Sequence, residues 1–373
     1  MAPAARKIFQ LKRLGILTGG GDAPGLNAVI RAVVLTASNE YNLEIIGIPD
    51  GFDGLLDSDR ARVLTLADVR GILSRGGTIL GAANRGNPFA KKTTTAGAET
   101  IIDVSADALR NIERLKLDGL LVLGGDGTLR ISQDLIAHGA PIVGVPKTID
   151  NDMGGTDVTF GFNTAVATAT DAADRLHSTA ESHHRVMVLE LMGREAGWIA
   201  LVAGVAGGAD VILIPEIEFD IAGLIVKLEE RRSRGRLFSI LAVAEGARLK
   251  NNGQVLRSQA DALHIARLGG IGQQVSDLIE ATSGLETRCT VLGHLQRGGS
   301  PVPFDRWLAT RYGAAAVRLA ARRGFGRMVC YRDAGIGDIA LTDALALTPK
   351  LVDPTSEMVQ MARGVGISFG DDQ

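Results

Sequence analysis

Leu14-Gly-Ile-Leu-Thr18, then Gly19-Gly-Gly-Asp-Ala-Pro-Gly25, then Leu26 to Ser38 is the stretch that decides the fold. The first five residues read as a short strand buried on both faces and the glycines as the loop after it. The last segment places apolar residues on every turn of a helix. A second strand is expected at Glu44 to Ile48, and the rhythm returns at Gly119-Leu-Leu-Val-Leu-Gly124. There it precedes a helix from Thr128 to His138 and a strand from Ile142 to Val145. The second half repeats it, with strands expected at 185–191, 211–214, 239–243 and 287–292 and helices at 198–206, 221–234 and 271–282. Strands alternating with helices predict parallel sheets covered on both faces, joined by right-handed crossovers.

The expected fold is therefore α/β, two similar three-layer lobes with mostly parallel sheets, their boundary near Gly155 to Asn163. A long amphipathic helix from Pro303 to Arg323, with proline in its first turn, is expected to return to the first lobe. That makes both domains discontinuous: 1–160 with 296–335, and 161–295 with 336–373. Lys91 to Gly97 reads as an exposed loop. The last 30 or so residues carry little pattern, and Gly370-Asp-Asp-Gln373 is expected to fray.

Composition narrows the class. The chain has 373 residues, 46% of them hydrophobic, ample for a buried core in each lobe. Its 40 basic and 42 acidic residues leave a charge of −2, so no global basic field invites nucleic acid. An anionic ligand would need positive charge concentrated in a site. Two cysteines, Cys289 and Cys330, fit a reducing compartment. Met1 to Gln10 lacks the apolar core of a signal peptide, and no window has the roughly 18 apolar residues of a membrane span. A cytoplasmic enzyme is expected.

Three loops follow strands, where open parallel sheets bind ligands. Gly19 to Gly25 lets backbone N–H groups approach an anion at the start of a helix; a tight turn alone would need fewer glycines. Gly124-Gly125-Asp126-Gly127-Thr128 sets one carboxylate among backbone donors, an arrangement suited to Mg²⁺ beside a phosphate. A helix cap would explain Asp126 but not its flanking glycines. Neither the Walker spacing nor a dinucleotide fingerprint is present. Pro146-Lys147-Thr148-Ile149-Asp150-Asn151-Asp152 brings two carboxylates together, one suited to act as a general base on a hydroxyl and the other to face metal or substrate.

With Gly-Gly-Asp-Ala-Pro-Gly-Leu-Asn at 20–27, these loops resemble the 6-phosphofructokinase family in order and spacing. So do Met192-Gly193-Arg194, Ala244-Glu245-Gly246 and Val291-Leu-Gly-His-Leu-Gln-Arg-Gly-Gly-Ser-Pro301, and the match runs from about Leu14 to Arg332. Gly-Gly-Asp-Gly-Thr alone is shared with lipid and NAD kinases. The resemblance implies an enzyme that moves the γ-phosphoryl of ATP to the 1-hydroxyl of fructose 6-phosphate. Asp150 would be the base, with Thr148 and Arg194 as the other catalytic groups. Gly21, Arg85, Gly125, Asp126, Gly127 and Thr128 would cradle ATP, and Asp126 and Asp152 would face Mg²⁺. The sugar phosphate would lie among Thr148, Ile149, Asp150, Met192, Gly193, Arg194 and Glu245. Its 6-phosphate would meet Arg185, Arg288, His294 and Arg297, with Leu295 and Gln296 between the last two. In the family, Arg185 and Arg288 come from a neighbouring subunit, which implies a homo-oligomer, a tetramer or dimer. Fructose 6-phosphate and ATP/ADP are then the partners, with neither nucleic acid nor membrane.

The donor stays open between two residues. Gly127 matches family members that use ATP, because a carboxylate there would crowd and repel the nucleotide's α-phosphate. Lys147 matches members that use pyrophosphate, where a cation can neutralise the leaving phosphate. Gly127 is given the greater weight. Leu35 and His177 stand where allosteric relatives carry effector-site arginines, although Arg31 remains, so weak or absent regulation at that site is expected. A lipid or NAD kinase is disfavoured by the 6-phosphate clamp, and a non-catalytic sugar-phosphate sensor by the three aspartates Asp126, Asp150 and Asp152.

Overall fold

The computed structural model describes residues 11–83, 86–95, 98–250, 253–254, 256–258 and 267–371. In chain order the first strands are β1 (Arg13–Thr18), β2 (Glu44–Ile48), β3 (Arg62–Leu64), β4 (Lys91–Thr95), β5 (Ala98–Ile102), β6 (Gly119–Gly124) and β7 (Ile142–Pro146). Next come β8 (Val186–Leu191), β9 (Val211–Leu213), β10 (Ser239–Ala244), β11 (Arg248–Leu249), β12 (Gly253–Gln254), β13 (Leu256–Ser258) and β14 (Arg267–Leu268). The last are β15 (Thr287–Val291), β16 (Arg327–Arg332) and β17 (Gly335–Ala340). The helices are α1 (Leu26–Thr36), α2 (Phe52–Leu56), α3 (Ser105–Arg114), α4 (Asp126–Ala137), α5 (Phe162–His183) and α6 (Trp198–Ala206). They continue with α7 (Ile221–Ser233), α8 (Ile271–Ser283), α9 (Pro303–Ala321), α10 (Leu341–Ala346) and α11 (Glu357–Gly364).

Two units result. The first comprises residues 1–148, 153–160 and 299–348; the second comprises 149–152, 161–298 and 349–373. Thus β17 and α10 belong to the first unit, whereas the sequence reading gave 336–348 to the other domain. The reason is the hairpin: β17 pairs along its whole length with β16, which itself pairs in parallel with β7. Residues 296–298 stay with the second unit, following β15.

The first unit holds a seven-stranded sheet in the order β17-β16-β7-β6-β1-β2-β3. Its interior pairs are parallel, and antiparallel pairing is confined to β3 and β17 at the edges. Side chains alternate between the two faces, as pleating requires. Leu121 and Leu123 of β6 join α1 and α9 in one apolar cluster, whereas Leu120 and Val122 join residues of α2, α3 and α4 in another. This makes three layers. In the second unit the order is β15-β8-β10-β9, all parallel. Val188, Leu241 and Val243 pack with α7 and α8 on one face. On the other, α6 lies so close that a Cβ at Gly204 would stand 2.7 Å from the Ile212 side chain.

Two further expectations needed correction. Lys91–Thr95 is a strand paired with β5 in a hairpin rather than a loop; its run of threonines favours extended backbone. The C-terminal stretch is also built into the fold as far as Asp371: α11 is capped by Ser356, Asp220 N–H donates to Gly370 O at 2.9 Å, and Asp371 pairs with Arg363, while Asp372 and Gln373 lie outside the described residues. Among the described residues no helix is long and apolar enough to cross a membrane.

Candidate active site

In the first unit the glycine loops stand at the C-terminal ends of adjacent parallel strands, β1 and β6. They are packed on one side chain. Built Cβ atoms on Gly19 and Gly124 would lie 2.5 and 2.3 Å from atoms of Thr128, so any larger residue at either place would force the two loops apart. Thr128 is thereby buried between the strand ends. Gly125 is closely bounded too, its added Cβ meeting Lys147 O at 3.2 Å.

Gly127 differs. A Cβ there would meet nothing within 4 Å, and the residue lacks the positive φ that would call for glycine. It lies in the first turn of α4, and glycine is a poorer helix former than alanine. Neither packing nor backbone conformation asks for glycine at 127.

Lys147 is 3% exposed. Its ammonium donates to the carbonyl of Gly21, and its own N–H donates to Gly124 O at 2.9 Å. The lysine therefore fastens the first glycine loop to the end of β6. Asp126 opens α4 with its carboxylate about 40% exposed, and Arg130 Nε lies 2.7 Å from Oδ1. Among the described residues no group of three His, Cys, Asp or Glu side chains forms a ready-made metal cage. One carboxylate at a glycine-rich strand end nonetheless fits Mg²⁺, which commonly uses one or two carboxylates together with substrate phosphates and water. Arg85 lies outside the described residues.

Thr148 closes this segment of the first unit, its carbonyl accepting from Thr159 Oγ1 at 2.7 Å. Residues 149–152 belong to the second unit, with Ile149 fully buried and Asp150 and Asp152 half-buried. Between the aspartates, Asn151 holds φ 53°, a left-handed conformation Asn tolerates better than most residues, so the chain turns between the two carboxylates. Asp152 O accepts from Lys350 N at 2.6 Å.

At the C-terminal ends of β8, β10 and β15 three turns meet. Glu245 N–H donates to Leu191 O at 2.8 Å, and Gly246 N–H to Gly193 O at 3.0 Å. A Cβ on Gly246 would stand 2.0 Å from Arg194 O, which only glycine permits. Gln296, fully buried, accepts from Met192 N–H at 3.4 Å and donates to Gly293 O at 3.1 Å. It braces the 293–297 turn and is not displayed to a ligand. His294, Leu295 and Arg194 are exposed, and Arg297 is half-buried. A histidine satisfied in the core is thus ruled out at 294. Met192 and Gly193 are buried beneath them.

Burial pushes the Glu245 carboxyl up from its ordinary range, and the charge of Glu190 pushes it further. Arg297, His294 and Arg194 pull the other way, in that order. These four neighbours thus gather around one carboxyl. Glu190, which the sequence reading passed over, is 3% exposed and accepts at Oε2 from Gly272 N–H at 2.7 Å, at the N-terminus of α8. A glutamate inside an otherwise apolar strand was the available signal.

Arg185 and Arg288 sit elsewhere. Arg185 immediately precedes β8 and Arg288 is the second residue of β15, with Thr287 opposite Val186. Both stand at the N-terminal edge of the sheet, and their guanidinium groups meet on Glu286. The six residues of β8, at about 3.3 Å each, put roughly 20 Å between this edge and the turns at the other. Arg185 with Arg288 is one set, Arg194, His294 and Arg297 another, and one chain does not bring them onto one anion. His177 donates from its ring to Gly207 O at 2.8 Å and stacks edgewise on Phe238, so it serves packing.

The phosphofructokinase family model matches residues 13–320. An ATP-dependent 6-phosphofructokinase of Chloroflexus aggregans is 53% identical over 361 residues, 97% of this chain and 98% of that protein. A pyrophosphate–fructose 6-phosphate 1-phosphotransferase of Streptomyces coelicolor is 47% identical over 360 residues, 96% of this chain and all of that protein. The crystal structure of Pichia pastoris phosphofructokinase in the T-state is 32% identical with TM-score 0.78; the match covers 95% of this chain but 37% of that one. The chain therefore spans little more than a third of the Pichia pastoris protein and nearly all of the bacterial ones. This chain belongs to the phosphofructokinase family.

Proposed function

We propose that the protein transfers the γ-phosphoryl of ATP to the 1-hydroxyl of fructose 6-phosphate, giving ADP and fructose 1,6-bisphosphate, the reaction of glycolysis. The observation that carries the donor is Gly127: the fold does not need glycine there, and the space above it is open. A nucleotide phosphate occupying that space accounts for the residue. The name of the Chloroflexus aggregans relative agrees. Pyrophosphate is the second reading, favoured by Lys147 and by the name of the Streptomyces coelicolor relative. Against it, the Lys147 ammonium is buried on a backbone carbonyl, where it shapes the loop.

In this reading the first unit binds the donor and the second the sugar phosphate. Gly21, Gly125, Gly127 and Thr128 form the donor cradle, mostly through backbone N–H groups and the start of α4. Arg85 is the further contact assigned to the donor phosphates. Asp126 and Asp152 are the carboxylates assigned to Mg²⁺, which would supply neutralisation of charge on the donor phosphates. Asp150 takes the proton from the 1-hydroxyl as that oxygen attacks the γ-phosphorus. The new P–O bond forms as the bond to the β-bridging oxygen breaks, and ADP leaves. Thr148 and Arg194 are assigned to the charge on the transferring group. Ile149, Met192, Gly193, Glu245 and the turn from His294 through Leu295 and Gln296 to Arg297 shape the sugar pocket, with His294 and Arg297 reaching its 6-phosphate.

Arg185 and Arg288 complete the 6-phosphate clamp on a second copy of the chain, in a homotetramer or dimer. The roughly 20 Å across the second unit's sheet supports this, because within one chain those arginines lie at the wrong edge. A cytoplasmic enzyme without nucleic-acid or membrane partners fits the charge of −2 and two thiols that remain free. Phosphorylation of fructose 6-phosphate measured in parallel with ATP and with pyrophosphate tests the donor. ATP is expected to win by at least about tenfold in kcat/KM, and comparable efficiency with both would sink the assignment.

A further inference from the structure

Glu286 has no part in the reaction described so far, yet its position ties two residues of the proposed clamp together. Its Oε1 lies 2.7 Å from Arg185 Nη2 and 2.6 Å from Arg288 Nη2. Arg185 comes from the approach to β8 and Arg288 from β15, so one carboxylate oxygen joins two strands' cations. Glu286 is fixed in turn: its carbonyl accepts from Val186 N–H at 3.0 Å. Arg288 is held on its other side by Thr287 O at 2.7 Å and Glu280 Oε1 at 3.3 Å. An ordinary exposed ion pair joins two flexible chains and contributes little. Here the carboxylate instead cancels the repulsion between two guanidinium groups and holds both in one orientation.

The arrangement leaves donors unused. Arg185 Nε is buried and meets no acceptor among the described residues, and a guanidinium carries five N–H donors in a fixed fork. The side chains are 27% and 50% exposed for Arg185 and Arg288, so the pair remains accessible. The Arg185 hydrogen bond, then the charges of Arg185 and Arg288, hold the Glu286 carboxyl below its usual range, and it is ionised at neutral pH.

We infer that Glu286 is a positioning residue, holding Arg185 and Arg288 as one fork for the 6-phosphate of fructose 6-phosphate bound to a second copy of the chain. This rests on the proposed function, in which those two arginines bind that phosphate. The inference adds that neither arginine is correctly placed without the shared carboxylate.

Steady-state kinetics of the full-length enzyme test it with Glu286→Gln, Arg185→Ala and the double variant. Glu286→Gln is expected to raise KM for fructose 6-phosphate about tenfold, while KM for ATP and kcat stay within about twofold. The double variant should lose less than the product of the two single losses, because part of the effect of Glu286 is exerted through Arg185 and the rest through Arg288. An unchanged or lowered KM for fructose 6-phosphate in Glu286→Gln overturns the inference, the lowered value marking the carboxylate as a competitor of phosphate. An equal rise in both KM values also overturns it, since that is the mark of a merely structural residue. Should Glu286→Gln fail to fold, Glu286→Asp keeps the charge at shorter reach, and the same selective rise, smaller in size, is required of it. Arg185→Ala separates the two layers of the account. If it raises KM for fructose 6-phosphate and Glu286→Gln does not, only the positioning role falls; if it leaves KM unchanged, the clamp itself is wrong.

Discussion

The strand-end loops of the first unit and those of the second use side chains in opposite ways. In the first, Thr128 is buried between Gly19 and Gly124, and Lys147 is spent on the carbonyl of Gly21. Among the described residues of these loops, what faces a ligand is mainly backbone N–H groups, the carboxylate of Asp126 and the open space at Gly127. In the second, the buried polar groups Gln296 and Glu190 hold the turns in place, and Arg194, His294 and Arg297 are displayed around Glu245. In the proposed function, a polyphosphate common to many enzymes would thus be met by backbone, and a particular sugar phosphate by charged side chains. Substitutions should sort accordingly: acceptor variants change one substrate's KM, and donor-loop variants act through space and loop shape.

The largest effect lies outside that contrast and calibrates it. Asp150→Ser removes the proposed base, and turnover is expected to fall by about 10²–10⁴ with near-normal binding of both substrates. Surviving turnover, measured by a coupled assay at saturating substrate, would mean that Asp150 is not the base. Arg297→Ala comes next, with KM for fructose 6-phosphate raised roughly 10–100-fold and KM for ATP little changed, the size expected for one charge-assisted contact. Equal loss for both substrates would erase the division of labour between the units.

Lys147→Met probes the other side. If the ammonium serves the loop rather than the donor, the variant loses about 1–3 kcal/mol of stability in denaturant titration, because the Gly21 carbonyl loses its donor. KM for ATP should rise by less than about tenfold. A far larger loss with ATP at unchanged stability would put the lysine on the phosphate. Smallest is Glu245→Gln. Burial holds the carboxyl of Glu245 above its ordinary range, so the folded state takes up a proton more readily than the unfolded chain there. That contribution is full below the unfolded value and is lost as pH rises through the folded one. At neutral pH the variant should therefore melt a few degrees higher than the native enzyme, and the gain should shrink on acidification. A gain that does not change with pH would show that burial of the charge is not its source.

Much of this was legible in the sequence, and the gaps have physical causes. Strands leading into glycine loops, such as β1 and β6, announced themselves because they are buried on both faces and read as largely apolar runs. The helix α5, 22 residues long, did not, because alanine and threonine predominate along it and blur the apolar stripe. The β16–β17 hairpin was missed for another reason. Its two-residue turn, Asp333-Ala334, has φ 49° and 59°, a geometry usually announced by Asn-Gly or Asp-Gly, and alanine hides it. Site residues could be assigned from the sequence where glycine and carboxylate spacing is local. The loop-fastening role of Lys147, the bracing by Gln296 and the bridging by Glu286 depend on partners that the fold brings from other segments, so spacing along the chain could not disclose them.

Gly127→Asp bears most directly on the contrast between the two sets of loops. Nothing in the protein lies within 4 Å of a Cβ at that position, so the fold should accept the change. A carboxylate in the space assigned to a nucleotide phosphate should then cost several kcal/mol through like-charge contact, about a hundredfold or more in kcat/KM for ATP. KM for fructose 6-phosphate should stay within about twofold. Unchanged efficiency with ATP in a folded Gly127→Asp enzyme would contradict the account.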